Sequence, residues 1–306
     1  MNMYATSRSY SETTRGRLRR WARTEGLGAH LILFIVLFII FLPITWMIGT
    51  SFKDALEFAS NPAGLLPRRW SLVNYQFAFT QIRNLPIYMR NSFILAFGTV
   101  TLQVFVCSLA GYAFARMEFR YRDLIFLAIL ISMFIPRSGG LMALYELMNF
   151  LGLRNSLIGL ILFFSASIPI PTFIMRQAFL GIPKEIEESA FIDGATWFQV
   201  FWRIALPIAA GGIVVIATLS FIGVWSDFLV TFTLVDRDAQ MTISVGVRKL
   251  LRMAYDMALS PRFRGQFAGE AYDTAMLLIA AFPVVLFYGL LQRWFMRGLT
   301  EGAIKF

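Results

Sequence analysis

The residues that could carry covalent or metal chemistry are very few in this sequence. It contains one cysteine, Cys107, and one histidine, His30. A single cysteine cannot form an internal disulfide, and a single histidine supports neither a metal cluster nor a Ser-His-Asp triad. The phosphate-binding pattern G-x-x-x-x-G-K-[ST] does not occur in the sequence. These residues give no support for catalysis within the chain, and we expect no metal or cofactor in it.

The densest polar pattern is the stretch EESAFIDGATWFQVFWRIALP, from Glu187 to Pro207. Pro183 suits the first turn of a helix that runs into this stretch. Glu185, Glu187 and Glu188 then lie close to the N-terminus of that helix, where the helix dipole favours negative charge. A short acidic helix is therefore predicted between apolar parts of the chain.

A tight bend and a second helix are predicted to follow. Gly194 is typical of the residue that ends a helix, and Thr196 with Gln199 forms a capping box that starts another. Aromatic residues, which favour a membrane interface, lie on that second helix: Trp197, Phe198, Phe201 and Trp202. Two interpretations fit this pattern. The helix pair lies at the membrane interface and its acids only cap it, or the acidic helix and bend dock into a cleft of a soluble partner.

The elements that must position this segment are strongly apolar. Of the 306 residues 58% are hydrophobic and 15% are charged. The apolar residues lie in runs of about 20, the length that a helix needs to cross a bilayer core of about 30 Å. We predict an all-α integral membrane protein with six transmembrane helices. The predicted spans are Ala29–Ser51, Ser92–Ala115, Leu124–Ile135 extended toward Leu144 with an interruption at Pro136–Gly140, Ser156–Met175, Ile208–Phe228 and Thr274–Phe295.

The basic residues predict the orientation of these spans. Residues 1–28 form a basic tail, residues 29–306 form the transmembrane domain, and the net charge is +10. Arginines cluster in this tail and in the 116–123 loop, as they do in cytoplasmic flanks, so nucleic-acid binding is not needed to explain the charge. Both termini and the 176–206 segment are therefore predicted to be cytoplasmic. A cleaved signal peptide would have a shorter apolar core than the first predicted span and a small-residue cleavage site, so we expect this span to be a retained helix.

The acidic segment resembles the EAA loop of ABC importer permeases. The matching residues are Glu188, Ser189, Ala190, Asp193, Gly194, Ala195, Ile204, Leu206 and Pro207. Ser189 replaces an alanine of the family pattern, and its small side chain still permits close docking. The stretches NSFILAFGTVTLQVFVCSLAGYAFARMEFRYRD, LYELMNFLGLRNSLIGLIL and RGLTEGAIKF resemble the maltose-type carbohydrate permeases, with Phe306 as a departure. Altogether the similarity covers roughly residues 65–306.

This resemblance implies a type I ABC importer permease fold with a cytoplasmic coupling helix. It implies a permease subunit of an ATP-driven importer that takes up a carbohydrate or sugar derivative delivered by a periplasmic or lipid-anchored binding protein. A second related permease and two ATPase subunits would complete the complex, with ATP and Mg held by the ATPase subunits and none in this chain. The location would be the bacterial cytoplasmic (inner) membrane, in contact with lipid and without nucleic acid. Glu188 would face a basic residue of the ATPase, and Gly194 would allow the bend.

Polar residues inside the predicted spans are candidates for the solute path, because such groups tend to face a cavity or the bundle interior. Trp225, whose ring can stack on a sugar, and Asp227 lie near the outer end of the fifth span. The alternative is that both belong to the interfacial belt. Gln103 and Ser165 are weaker candidates. The outer 230–273 segment is long for a loop, and we expect it to contact the binding protein, unless it is only a solvated, charge-balanced loop.

Two other functions stay open at this point. One is an ABC permease for a non-sugar solute such as glycerol phosphate, because an EAA loop is compatible with it. The other is a secondary carrier. A carrier would need a proton or sodium site, usually a buried carboxylate pair within the spans, and none of the predicted spans offers such a pair at mid-depth.

Overall fold

The computed structural model describes residues 27–135, 137–259 and 268–303, and these residues form helices and connections without a β-strand. The predicted tail 1–28 thus falls almost entirely outside the described residues. The α-helices are α1 (Leu27–Ser51), α2 (Ala55–Ser60), α3 (Val73–Gln81), α4 (Leu85–Arg116), α5 (Arg122–Ile131), α6 (Leu141–Phe150), α7 (Leu157–Ser165), α8 (Pro169–Leu180), α9 (Lys184–Ile192), α10 (Trp197–Val200), α11 (Leu206–Ile208), α12 (Ala210–Trp225), α13 (Leu229–Leu234), α14 (Ile243–Leu259) and α15 (Gly269–Ala303).

Three of these helices are long and apolar enough to cross a bilayer unaided. They are Gly28–Ser51 in α1, the whole of α4, and Gly269–Met296 in α15. These helices confirm the first, second and sixth predicted spans as helical. The side chains in the middle of α1 are exposed, as expected of a helix that packs along α15 and otherwise faces lipid.

Helix α4 begins at Leu85, seven residues before the predicted start of the second span. Its first turns include the polar residues Arg90, Asn91 and Ser92, and two of these side chains bond distant parts of the chain. The side-chain amide of Asn91 donates to the carbonyls of Ala239 and Met241, both at 2.9 Å. Ser92 accepts a 2.8 Å bond from the Ile243 amide. A 32-residue helix, about 48 Å long, results.

The connection ahead of α4 is folded rather than irregular. It holds α2, which Asp54 caps, and α3. Lys53 is fully buried and its ammonium donates to the carbonyls of Asn61 (2.8 Å) and Gly64 (2.7 Å). Burial lowers the pKa of Lys53, and the nearby Glu57 carboxylate opposes that shift. These contacts close the connection over the end of α1.

Two bent helix pairs are further candidate spans. Helices α7 and α8 meet at 52°, and the α10–α11 unit meets α12 at 72°. Pro169 begins α8, where a continuous helix would bring its ring against the carbonyl four residues earlier. A π-helix, Phe201–Ala205, precedes Pro207, and the Leu206 amide donates to the Phe201 carbonyl five residues back. The first pair overlaps the predicted fourth span, and α12 of the second pair overlaps the predicted fifth span.

The predicted third span is not one helix. Helix α5 has ten residues, about 15 Å, and passes into a 3-10 turn at Ser132–Phe134. A second 3-10 turn, Arg137–Gly140, leads into α6, and Pro136 lies outside the described residues. Neither α5 nor α6 is long enough to span a bilayer alone. The described residues thus give up to five spans, and the count of six stays a prediction.

The 230–273 segment was predicted as a loop, and this is wrong for most of its length. It contains the end of α13 and the 17-residue helix α14, while residues 260–267 lie outside the described part. One face of α14 is buried through Ile243, Val247 and Leu250. The spacing of these residues follows the helical period. The many charged residues on the opposite face hide this period in the sequence.

Helix α4 is the centre of the bundle, with α7, α8, α12 and α14 packed around it. The closest approach is to α8, at Gly111. A Cβ atom built on Gly111 would lie 2.6 Å from the Met175 Cβ and 2.9 Å from the Arg176 backbone nitrogen. Such distances are far below van der Waals contact, so only glycine fits there.

Gly111→Ala should therefore separate α4 from α8 and lower the thermal unfolding temperature of the detergent-solubilised protein. Overpacking of this kind typically costs about 1–3 kcal/mol. Gly223→Ala is the matched control, because a Cβ on Gly223 in α12 meets no atom within 4 Å. Alanine is favoured over glycine inside a helix, so the control should unfold at the same or a higher temperature. Equal unfolding temperatures for Gly111→Ala and the wild type would refute this close packing.

Candidate functional site

The acidic segment, residues 183–207, folds as two short helices at a tight bend. Helix α9 follows Pro183, which takes the N-cap position rather than the first turn. At its other end the amide of Gly194 donates to the Phe191 carbonyl at 3.0 Å, and the amide of Ala195 to the Ala190 carbonyl at 2.9 Å. This pair of bonds is a Schellman motif. The φ angle of Gly194 is +84°, so the predicted helix stop is confirmed.

The predicted capping box is confirmed as well. Thr196 Oγ1 accepts from the Gln199 amide at 3.4 Å, and Gln199 Oε1 accepts from the Thr196 amide at 2.8 Å. Across the bend the rings of Phe191 and Trp197 lie 4.5 Å apart. The orientation of α9 relative to α10 is thus fixed by local contacts on both sides of Gly194.

The bend leaves a mixed acidic and apolar surface uncovered. Glu188, Ser189 and Asp193 are exposed, whereas Ala190 and Ala195 are half-buried. Ile192 beside them is 87% exposed, and Phe198 is exposed too. Large apolar side chains grouped with charges on an exposed bend are typical of a surface that contacts another protein.

Glu187 lies on the opposite side of α9 and is buried. Its carboxylate pairs with Arg116, at 2.8 Å between Arg116 Nε and Glu187 Oε1, and both side chains are 5% exposed. The Tyr112 hydroxyl donates to Glu187 Oε2 at 3.2 Å. Arg116 also donates to the Ile182 carbonyl at 2.6 Å. The three predicted N-terminal acids therefore differ, because Glu185 and Glu188 are exposed and Glu187 forms an internal ion pair.

The sequence reasoning did not identify Arg116 and Tyr112 as functional residues. Arg116 was counted only among the basic residues that flank a span. The sequence does contain a pattern that indicates an inward-facing acid. Glu187 and Phe191 are four residues apart on α9, so they lie on the same face of the helix. An acid on the inward face of a short helix requires a cation, and Arg116 ends the nearest long helix.

The last residues of the family pattern lie where the segment enters the membrane-spanning part. Ile204 belongs to the π-helix, and Leu206 packs against a buried cluster that includes Phe179, Phe201 and Ala205. Pro207 is exposed in the three-residue helix α11. Their arrangement ties the acidic segment to the bend that starts α12.

Two predicted path residues, Gln103 and Ser165, lie at the break between α7 and α8. Gln103 is buried, and its side-chain nitrogen donates to the Ser167 carbonyl at 2.6 Å. The Ser220 hydroxyl of α12 donates to the other end of that amide. Ser165 donates a weak 3.4 Å bond to the Thr99 carbonyl. Gln103 thus bonds a backbone carbonyl at the helix break and links α4, the break and α12.

The other two predicted path residues also have structural partners. Trp225 is 5% exposed, and its indole nitrogen donates to the Ala280 carbonyl of α15 at 2.9 Å. Asp227 is half-buried and its carboxylate accepts from the amide (3.0 Å) and hydroxyl (3.1 Å) of Thr231. The structure therefore places both in contacts that hold the ends of α12 and α13. A role of these residues in the solute path stays a prediction.

Within the described ranges, no group of three or more His, Cys, Asp or Glu side chains is placed to hold a metal ion. The single cysteine, Cys107, is buried in α4. What the described residues do present is a helical bundle with exposed apolar helices, two bent helix pairs and an exposed acidic bend. These features indicate an integral membrane protein, the class to which transport permeases belong.

Comparison with known proteins identifies the family. A family model described as "Binding-protein-dependent transport system inner membrane component" matches residues 107–301, so the chain belongs to this family. The chain is 29% identical to the sulfoquinovosyl glycerol transport system permease of Agrobacterium fabrum, over the full length of both. It is 30% identical to the arabinooligosaccharides transport system permease of Halalkalibacterium halodurans, over 91% of this chain and 95% of the relative.

A solved structure agrees with this assignment. The crystal structure of a bacterial ABC transporter that imports the acidic polysaccharide alginate contains a chain that superimposes with a TM-score of 0.80. That match covers 90% of this chain and 98% of the other, at 20% identity. The predicted type I ABC importer permease fold is therefore confirmed.

Gln103→Leu tests whether the Gln103 side chain stabilises the break between α7 and α8. The leucine keeps the volume but removes the bonds of Gln103 to the Ser167 carbonyl and the Ser220 hydroxyl. A side-chain hydrogen bond between membrane helices is worth about 0.6–2 kcal/mol. We expect a lower unfolding temperature in detergent. Thr45→Val is the control, since the Thr45 hydroxyl bonds only to the Phe41 carbonyl of its own helix at 2.8 Å. A Gln103→Leu protein as stable as the control would show that the break does not need this bond.

Proposed function

We propose that this chain is one permease subunit of an ATP-driven ABC importer for a carbohydrate or sugar derivative. The sugar assignment is supported by relatives whose names specify transport of sulfoquinovosyl glycerol, diacetylchitobiose and arabinooligosaccharides. The observation that carries the coupling role is the exposed bend at Gly194, built by a Schellman motif and a capping box. An exposed, rigid, acidic bend on a membrane protein suits docking into a cleft of a soluble subunit.

The chain is a multi-pass membrane protein, and we assign it to the bacterial cytoplasmic membrane with both termini in the cytoplasm. In this orientation the acidic segment and the C-terminal end of α4 are cytoplasmic, whereas α14 lies outside. A second related permease and two ATPase subunits would complete the complex. ATP and Mg would be held by the ATPase subunits, and this chain would hydrolyse nothing by itself.

The acidic segment would couple ATP hydrolysis to transport. Glu188 and Asp193 would meet basic residues of an ATPase subunit, and the small residues Ser189, Ala190 and Ala195 would let the subunit approach closely. Closure of the two ATPase subunits on ATP would move both coupling helices as rigid bodies and turn the central cavity outward. Rigidity at Gly194 is needed for this, because a flexible bend would absorb the motion.

The outer face would receive the solute-binding protein. A solved structure of an alginate ABC transporter in complex with a substrate-bound periplasmic protein superimposes with a TM-score of 0.60. On α14 the side chains of Arg248 and Arg252 are exposed. The neighbouring acids Asp236 and Asp238 form ion pairs with Arg154 and Lys249. With Asp256 as the exposed acid on α14, the helix keeps a small positive surplus that suits an acidic surface on the binding protein.

A secondary carrier is less well supported. In the described part of α15, Glu270 and Asp273 lie within the first two turns and Glu301 lies in the last turn, so none of these acids is at mid-depth. The buried acid Glu187 is neutralised by Arg116. An ABC permease for glycerol phosphate or another non-sugar solute would share the coupling loop, and only the solute distinguishes it.

Gly194→Asp should abolish solute uptake in cells while the protein stays folded and in the membrane. A Cβ at Gly194 meets no atom within 4 Å, and aspartate tolerates the left-handed region better than most residues. The strain stays local to the bend, and we expect the fold to be kept, whereas the added side chain would stand between the bend and the ATPase subunit and prevent close docking. A bulky residue at Ala190 should act in the same way.

Gly152→Asp is the matched control for this experiment. Gly152 also has a positive φ (+68°) and no atom within 4 Å of a built Cβ, but it lies between α6 and α7, on the predicted outer side. The same change at the same kind of position should leave uptake near the wild-type level. Normal uptake by Gly194→Asp would contradict the docking role.

A further inference from the structure

The buried ion pair between Glu187 and Arg116 joins α9 and α4, which are distant from each other in the sequence. Arg116 is the last residue of α4, and Glu187 lies in the first turn of α9. The guanidinium reaches the carboxylate at 2.8 Å and the Ile182 carbonyl at 2.6 Å. The Arg116 side chain thus binds both the first turn of α9 and the chain just before that helix.

The surroundings of the pair are built to hold it. Tyr112 donates its hydroxyl to the second oxygen of Glu187, so both carboxylate oxygens are bonded. The Tyr112 ring packs against Phe179 of α8 and Phe201 of the π-helix, with centroids 5.2 Å and 5.1 Å away. The cluster of Tyr112, Arg116 and Glu187 therefore joins α4 and α9 to α8 and the π-helix.

General stability does not explain why this site holds charges. A buried ion pair loses much of its Coulomb energy to desolvation, and apolar residues of the same volume often stabilise a fold as well. What a bonded guanidinium–carboxylate pair gives in addition is a fixed direction and distance between its two elements. The pair is therefore suited to holding α9 in one orientation on α4.

Helix α4 extends this connection into the membrane. Gln103 lies thirteen residues before Arg116, about 20 Å along the helix, and bonds to the break between α7 and α8 and to Ser220 of α12. Between these points Gly111 brings the backbones of α4 and α8 into direct contact. A displacement of α9 is thus linked through rigid contacts to both bent spans.

We propose that Glu187 and Arg116 are positioning residues that fasten the coupling helix α9 to α4, so that movement of α9 is transmitted to the membrane-spanning helices. Glu188 and the bend receive the force from the ATPase, and the Glu187–Arg116 pair passes it on. This inference rests on the proposed function and adds to it the route inside the chain.

The test is the number of solute molecules transported per ATP hydrolysed, measured on the complete importer in proteoliposomes. A variant that merely folds less well lowers transport and hydrolysis together and leaves this ratio unchanged. We expect Glu187→Gln to lower the ratio about tenfold, within the range of coupling energies between sites. Asp123→Asn is the control. It breaks an exposed pair with Arg122 and a longer 3.8 Å contact with Arg176 of α8 at the same end of the bundle. Neither contact reaches α9, so the ratio should stay at the wild-type value.

Two further variants keep the inference testable if Glu187→Gln assembles poorly. Tyr112→Phe removes only one hydrogen bond and retains the ring, so a smaller loss in the same direction, about two- to fivefold, is expected. Arg116→Gln combined with Glu187→Gln should lose no more than the worse single variant, because both residues act through one contact.

The outcomes separate this inference from the proposed function. One result is that the wild-type importer couples hydrolysis to transport while Glu187→Gln and Tyr112→Phe leave the ratio unchanged. This result overturns the role of the ion pair and leaves the proposed function standing. Losses that multiply in the double variant also overturn it. A wild-type complex without solute-dependent hydrolysis contradicts the proposed function and this inference together.

Discussion

The constraint on which the structure depends is that no backbone polar group can remain unpaired within lipid. A continuous helix meets this requirement by itself, but a bent span does not. Two candidate spans of this chain are bent helix pairs, and the carbonyl of Ser167 in one of them accepts from Gln103 of the straight helix α4. Helix α4 runs unbroken beside the break between α7 and α8 and supplies a side chain that stabilises it.

The same helix connects the membrane-spanning part to the acidic segment. Its C-terminal residue, Arg116, fixes α9 through Glu187, while its first turns bind the segment before α14 through Asn91. Both ends of α4 thus hold structures that lie outside the apolar spans. An ATP-driven importer needs a helix that connects both regions, because force applied at one face of the membrane must change the solute path inside it.

The features that the sequence predicted well are those governed by local rules. Gly194, Thr196 and Gln199 are within six residues of one another, and capping chemistry defines the bend without distant contacts. The long apolar runs of α1 and α15 were equally clear. The family pattern at Glu188, Asp193 and Pro207 gave the function, and the match to the binding-protein-dependent transport family agrees with it.

The features that were missed depend on partners far away in the sequence. The early start of α4 relies on Asn91 and Ser92, which bond residues about 150 positions later. The inner face of α14 is masked by its many charges. Glu187 reads as a capping acid like Glu185 and Glu188, and only the position of Arg116 in space separates it from them.

The central claim is that this chain couples ATP hydrolysis to uptake of a sugar. The most direct measurement is ATP hydrolysis by the purified complex of this chain, its permease partner, the ATPase and the binding protein in lipid nanodiscs, across a panel of neutral and anionic sugars. The account predicts that one class of sugar raises the rate when its binding protein is present. A complex without a co-purifying ATPase, or a rate that no solute on the panel raises, would contradict it and reopen the carrier alternative.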